Sequence, residues 1–187
     1  MAFDYPIMLD LTGVPVLVVG GGRVALRKIE GLVNAHADVT VVALSAVGDI
    51  ADMPVRVERR SYETGDLDSV RLVITATDDP VVNAAVAADA TARGIWVNSA
   101  DDPANCTFTL PAVARDGAVT VAVGTGGSSP ALASHLRVEI EGWLTEIGAA
   151  DAAVTLAAQR ADLRAQGVST EWIDWAERVS AALRQRP

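Results

Sequence analysis

A glycine-rich turn near the start of the chain limits its fold more than any other feature. Val16-Leu-Val-Val-Gly20-Gly21-Gly22-Arg23-Val24-Ala25 runs from a valine-rich stretch through three glycines into helical spacing. The pattern is G-x-G-x-x-A on Gly20, Gly22 and Ala25. In a strand–turn–helix unit each of these positions has a physical job. Gly20 permits the tight turn, Gly22 leaves room for a pyrophosphate at the backbone, and Ala25 lets the helix pack close to the strand. Free N–H groups and the helix dipole then favour phosphate. The expectation is a nucleotide held by Gly20, Gly21, Gly22, Arg23, Val24 and Ala25. The alternative is a glycine turn with a purely structural role.

The rest of the first half alternates in the same way. Residues 14–19, 39–44, 55–58, 71–77 and 95–98 read as short, valine-rich strands, and 24–34 and 80–93 as helices. Asp79 before Pro80 fits an N-cap followed by proline at the first helical position. Such alternation predicts an α/β fold, a Rossmann-type parallel sheet with right-handed crossovers. After Asp101 the pattern changes. Residues 107–110, 112–115 and 118–123 are strand-like, a helix is expected from about Ala131 to Ile147, and the tail to Pro187 reads as two helices parted near residues 167–170. The expected division is a dinucleotide-binding domain over 1–112, a small α+β segment over 113–147 and a helical region over 148–187.

Composition narrows the partners. Half of the 187 residues are hydrophobic, enough for a full core. The net charge of −9 repels phosphate backbones, so nucleic acid is not expected. An anionic small ligand requires local arginines. No apolar run approaches the ~20 residues that span a bilayer, and Met1 to Pro6 lack the basic and apolar regions of a secretion signal. A cytoplasmic protein without a membrane partner is expected. The single cysteine, Cys106, excludes an internal disulfide and a Cys-rich metal site. It has no evident base, and His135 sits in no constellation of metal ligands, so no metal is expected. His36 follows the first helix at a position where a left-handed conformation is common. Trp143, Trp172 and Trp175 are expected to anchor helix packing.

In an open parallel sheet, ligands gather beyond the carboxyl ends of the strands. Two polar clusters fall there: Thr77-Asp78-Asp79 with Asn83, and Asn98 through Asp101-Asp102-Pro103 to Asn105. Thr77, Asp78 and Asn98 are candidate cofactor contacts, while Asp79 also suits a structural cap. A carboxylate after the fifth strand can accept a proton while hydride leaves to the cofactor. Asp102 precedes proline and is expected to be extended, so Asp101 is the catalytic candidate. Gly126-Gly127-Ser128-Ser129-Pro130 is a second candidate anion site, with Ser129 as cap and Pro130 as first helical residue; the alternative is a well-capped helix without a ligand. Arg115 and Arg137 are the nearby positive charges. The ribose-binding acid usual about 20 residues after the glycines is missing: residues 42–47 hold neither an acid nor an arginine. The choice between NAD and NADP is therefore open at this site.

Four segments in order carry a family resemblance. They are Tyr5-Pro-Ile-Met-Leu-Asp-Leu11 leading to Gly20-Gly-Gly-Arg-Val-Ala-Leu-Arg-Lys28; Ala76-Thr-Asp-Asp79 with Asn83; Val97-Asn-Ser-Ala-Asp-Asp-Pro103 with Phe108 and Pro111; and Thr125-Gly-Gly-Ser-Ser-Pro-Ala-Leu-Ala133. The chain resembles the precorrin-2 dehydrogenase and sirohydrochlorin ferrochelatase family, the N-terminal module of siroheme synthases. The resemblance implies NAD-dependent oxidation of precorrin-2 to sirohydrochlorin, with the important aspartate falling on Asp101. It implies a homodimer formed through residues 113–147. It also implies that Thr125, Gly126, Gly127, Ser128, Ser129 and Arg137 meet the carboxylate-rich substrate. Some members insert ferrous iron as well, and some continue into a methyltransferase domain. His36 stands where the family usually has glycine. A nucleotide-sensing module without chemistry is the reading from another class.

Overall fold

The computed structural model describes residues 5–184. Residues 1–4 and 185–187, which hold most of the Met1 to Pro6 stretch and the end of the expected tail helix, lie outside the described residues. The chain forms two compact units, Met1–Leu110 and Pro111–Pro187.

The first unit is a five-stranded sheet: β1 (Pro15–Val19), β2 (Asp38–Val42), β3 (Arg56–Glu58), β4 (Leu72–Thr75) and β5 (Trp96–Ser99). The strand order is β3-β2-β1-β4-β5 and every pairing is parallel. The order reverses between β1 and β4, and ligands of such sheets settle at that switch point. Helices α1 (Arg23–Asn34) and α2 (Gly48–Ala51) pack on one face, and α3 (Pro80–Ala92) on the other. The valine-rich runs become strands because both faces are covered. Val16, Val18, Val39, Val41 and Ile74 meet Ala25, Ile29 and Leu32 of α1, while Leu17, Val19, Val73 and Val97 meet Val86, Ala87 and Ala90 of α3. Burying one such side chain is worth about 2 kcal/mol, against about 0–1 kcal/mol for an exposed ion pair such as Arg93–Asp68. The two apolar layers therefore dominate the stability of this unit.

Helix ends follow their sequence signals. Asp79 caps α3, its Oδ1 accepting from Val81 N at 2.8 Å and Val82 N at 3.4 Å. His36 takes a left-handed φ of 59° just past α1. The expected strand at 107–110 is absent. Thr107 Oγ1 accepts the Val97 N–H at 2.8 Å where a backbone carbonyl would do so in a ladder, and the segment runs beside β5 without joining it. The short α2 and the 3-10 turns Thr64–Leu67 and Pro103–Asn105 lie in stretches without a periodic signal.

The second unit holds an antiparallel hairpin, β6 (Ala112–Asp116) and β7 (Val119–Val123), and three helices, α4 (Pro130–Ile147), α5 (Ala149–Ala165) and α6 (Ala176–Arg184). The hairpin turns at Gly117, whose φ of 55° suits the first central position of a two-residue loop. Its core joins Ala114 to Leu144 and Ala149. Gly148, at φ 69°, ends α4, and Asp116 Oδ2 accepts from Ala150 N to start α5. Trp175 donates from its ring to the Thr170 carbonyl, and Arg178 stacks over it at 5.8 Å. Trp172 and Trp143 do not anchor packing within the chain, being 88% and 55% exposed.

Candidate functional site

The glycine turn sits where β1 and β4 diverge. Gly20 has φ 122°, and a Cβ there would lie 2.3 Å from the Ala76 carbonyl oxygen. Gly21 is equally confined: a Cβ would meet the Ser45 carbonyl at 2.2 Å. Its own carbonyl accepts from Val47 N at 2.9 Å, and Gly20 N donates to the Val42 carbonyl at 2.9 Å. The loops after β1, β2 and β4 are thereby pressed together. Gly22 differs, since a Cβ there would meet nothing within 4 Å. It is the N-cap of α1, without a side-chain cap or an acid in the first turn. The N–H groups of Arg23, Val24 and Ala25 have no partner among the described residues. Two confined glycines thus hold the turn, and the third leaves open space before three free donors. That arrangement fits a pyrophosphate.

After β4, Thr77 is engaged rather than free. Its N–H and hydroxyl both donate to Asn83 Oδ1, at 3.2 and 2.8 Å, and its carbonyl accepts from Asn83 Nδ2 at 2.9 Å. Asn83 thereby sets the path of this loop against Gly20. Asp78 is exposed and makes no hydrogen bond among the described residues.

The β5 end separates the two neighbouring carboxylates. Asp102 Oδ2 accepts from Asn105 Nδ2 at 2.6 Å, which fixes it in the turn. Asp101 is exposed, has φ 59°, and has no side-chain partner among the described residues. A left-handed conformation is costly for most residues and least so for Asp, Asn and Gly. The turn is held from below. Ala100 N donates to the Thr75 carbonyl, Thr75 Oγ1 donates to Ser99 Oγ, and Cys106 Sγ accepts from Ser99 N at 3.1 Å. Burial pushes the Cys106 thiol up, so this sulfur acts as a staple and not as a nucleophile. Asn98 is buried, its Nδ2 donating to the Phe108 carbonyl at 3.1 Å while its Oδ1 has no partner among the described residues. A buried acceptor left unpaired costs about 1–3 kcal/mol, so this oxygen suits a ligand donor.

Sequence reasoning missed Lys28, the only lysine of the chain. It lies half-buried on α1, and burial, followed by Arg27, holds its ammonium below the usual lysine range. The charges of Asp101 and Cys106 act on it in the opposite direction, so the Asp101 carboxylate has a cation in its vicinity. The available signal was the position of Lys28, about one helical turn beyond Ala25 on the glycine-motif helix.

In the second unit, Thr125 to Pro130 form a tight turn into α4. Thr125 Oγ1 accepts from Ser129 N, and Ser129 Oγ accepts from Leu132 N, both at 3.2 Å. Gly126 and Gly127 have φ 59° and 83°, and a Cβ on either would meet nothing within 4 Å. Ser128 is exposed. Arg137 does not join this turn through a hydrogen bond; its Nη1 donates to Glu141 Oε2 at 2.6 Å, one turn further along α4. Arg115 is exposed on β6. Among the described residues no group of three or more His, Cys, Asp or Glu side chains gathers at metal-binding distance, and no helix is long and apolar enough to cross a membrane.

The family described as "Putative NAD(P)-binding" matches residues 7–112. The siroheme synthase of Methylococcus capsulatus is 48% identical over 143 residues, covering 74% of this chain and 30% of that protein. The siroheme synthase of Pseudomonas entomophila is 44% identical over 146 residues, covering 75% and 32%. The chain spans about a third of the length of these relatives. Among solved structures, SirC, a precorrin-2 dehydrogenase, is similar with a TM-score of 0.73 at 27% identity, covering 97% of this chain and 98% of that one.

Proposed function

This chain belongs to the NAD(P)-binding family, and from that premise and its likeness to siroheme synthases and a precorrin-2 dehydrogenase we propose that it oxidises precorrin-2 to sirohydrochlorin with NAD as hydride acceptor. The observation that carries this reading is the unpaired Asp101 carboxylate on a left-handed turn, at the same end of the sheet as the glycine cradle. When bound, the nicotinamide supplies a two-electron acceptor for hydride. Gly22 and the N–H groups of Arg23, Val24 and Ala25 hold the pyrophosphate. Thr77 and Asp78 border it, and the Asn98 Oδ1 offers an acceptor to the nicotinamide carboxamide. Asp101 accepts the proton that leaves the macrocycle, or orients the macrocycle for hydride loss.

The substrate's carboxylates suit the N-terminal turn of α4, through Thr125, Gly126, Gly127, Ser128 and Ser129. Arg137 contributes less, because Glu141 already neutralises it. Residues 113–147 form a homodimer interface in this reading. Leu132, Leu136 and Trp143 support it, being 49%, 38% and 55% exposed at helical spacing along α4. The residues beyond 147, expected as a region of their own, pack with the hairpin and α4 in one compact unit through Ala149 and the Asp116–Ala150 bond. A cytoplasmic enzyme that does not bind nucleic acid completes this reading, the net negative charge of −9 supporting the second part.

Anaerobic incubation of the chain with precorrin-2 and NAD+ tests the reaction. Cofactor-dependent conversion is expected, and conversion at the uncatalysed rate would count against it. Iron insertion is the second reading, favoured by the siroheme synthases among the relatives. Sirohydrochlorin and ferrous iron without NAD+ separate the two: acceleration adds chelation, and none removes it.

A further inference from the structure

The adenosine end of the cradle carries an unusual charge arrangement. Rossmann sites that prefer NAD place an acid after β2, which binds the ribose 2′-hydroxyl and repels a 2′-phosphate. Here β2 ends at Val42 and continues as Ala43-Leu44-Ser45-Ala46, without a charge. This loop abuts the glycine turn, because a Cβ on Gly21 would touch the Ser45 carbonyl and Val47 N donates to the Gly21 carbonyl. The ribose of a dinucleotide seated on the cradle therefore reaches it.

The cation comes from the neighbouring strand. β3 runs parallel to β2 with Val42 opposite Glu58, and Ala43 N donates to the Glu58 carbonyl at 3.1 Å. Arg59 thus emerges beside Ala43 at the carboxyl end of the sheet. Adjacent strands lie about 4.8 Å apart, well within the length of an arginine side chain. The flanking arginines are committed elsewhere. Arg56 donates to Thr40 Oγ1 at 3.3 Å, and Arg60 binds Asp66 through two bonds of 2.9 and 2.6 Å. Arg59 is exposed and has no hydrogen bond or ion pair among the described residues. Arg23, exposed at the first position of α1, is a second cation on this rim. The opposing charges are Glu58 on β3 and Asp49 in the first turn of α2.

We propose that this site accepts NADP+ comparably to NAD+, and that Arg59 is the residue that pairs with the 2′-phosphate. The proposal rests on the dinucleotide reading of the glycine cradle. A guanidinium can bind phosphate through two parallel hydrogen bonds, so a single well-placed arginine is enough to offset the lack of a dedicated pocket.

Calorimetric titration of the full chain with NAD+ and with NADP+ tests it. The two dissociation constants are expected within about fivefold of each other. Arg59→Ala is expected to weaken NADP+ by about tenfold and to leave NAD+ within about twofold. Ser45→Asp, at an exposed position, is expected to weaken NADP+ by at least about tenfold without weakening NAD+. Wild-type protein binding NAD+ far more tightly than NADP+ would overturn the proposal. So would Arg59→Ala weakening both ligands equally. Either result leaves the cradle reading intact, whereas binding of neither ligand would remove both.

Discussion

Asp101→Asn is expected to lower precorrin-2 turnover by about 10²- to 10⁴-fold, the usual contribution of a positioned acid–base group. Cofactor affinity and the unfolding temperature are expected to stay at their wild-type values. Asparagine is the informative substitution because Asp101 has φ 59°. Asparagine tolerates the left-handed region, so the turn survives while the charge goes. Alanine would add backbone strain and blur the result. Asp102→Asn is the control. Its carboxylate binds Asn105, so its loss should cost about 1 kcal/mol of stability and little turnover. NADH formation, calorimetric titration and thermal unfolding by circular dichroism read the three quantities separately. Full activity in Asp101→Asn would remove the residue from the mechanism.

Gly20→Ala and Gly22→Ala are expected to fail in opposite ways. At Gly20 the new Cβ would lie 2.3 Å from the Ala76 carbonyl, on a backbone with φ 122°. Overpacking and strain each cost about 1–3 kcal/mol, a large part of a typical stability of about 5–15 kcal/mol. The unfolding temperature should fall sharply, and dinucleotide binding with it. At Gly22 the new Cβ meets nothing within 4 Å, on φ −83°. The unfolding temperature should barely change, yet dinucleotide affinity should drop by more than about tenfold, because the methyl occupies the space a pyrophosphate needs. Wild-type affinity in Gly22→Ala would place the phosphates elsewhere.

The α/β character and the nucleotide turn were legible because buried parallel strands read as valine runs and the glycines punctuate them. Within the turn, the sequence pattern left the middle glycine unexplained. Gly21 is required by the Ser45 loop, a neighbour about 24 residues away that no local motif encodes. Preference for Asp101 over Asp102 followed from Pro103, and Asp102, at φ −133° and ψ 78°, avoids the helical region as a residue before proline does but is not fully extended. The left-handed state of Asp101 depends on how Ser99 and Thr75 hold the turn, which a linear pattern does not contain. Residues 107–110 alternate like a strand, but the Thr107 hydroxyl takes the bond that a ladder carbonyl would accept. Arg137 is expected beside the anion turn, but Glu141 stands four residues on and takes its guanidinium, a pairing helical spacing predicts. Arg59 was invisible because it lies outside the stretch after β2, and only the β2–β3 pairing brings it there.

The central claim is that the cradle and Asp101 together serve a coupled oxidation of precorrin-2. The most direct measurement is the stoichiometry of the anaerobic reaction, with NADH and sirohydrochlorin followed in the same cuvette. The account predicts equal amounts of the two products, at a rate that depends on the protein and collapses in Asp101→Asn. Sirohydrochlorin formed without matching NADH, or no acceleration by the protein, would contradict it.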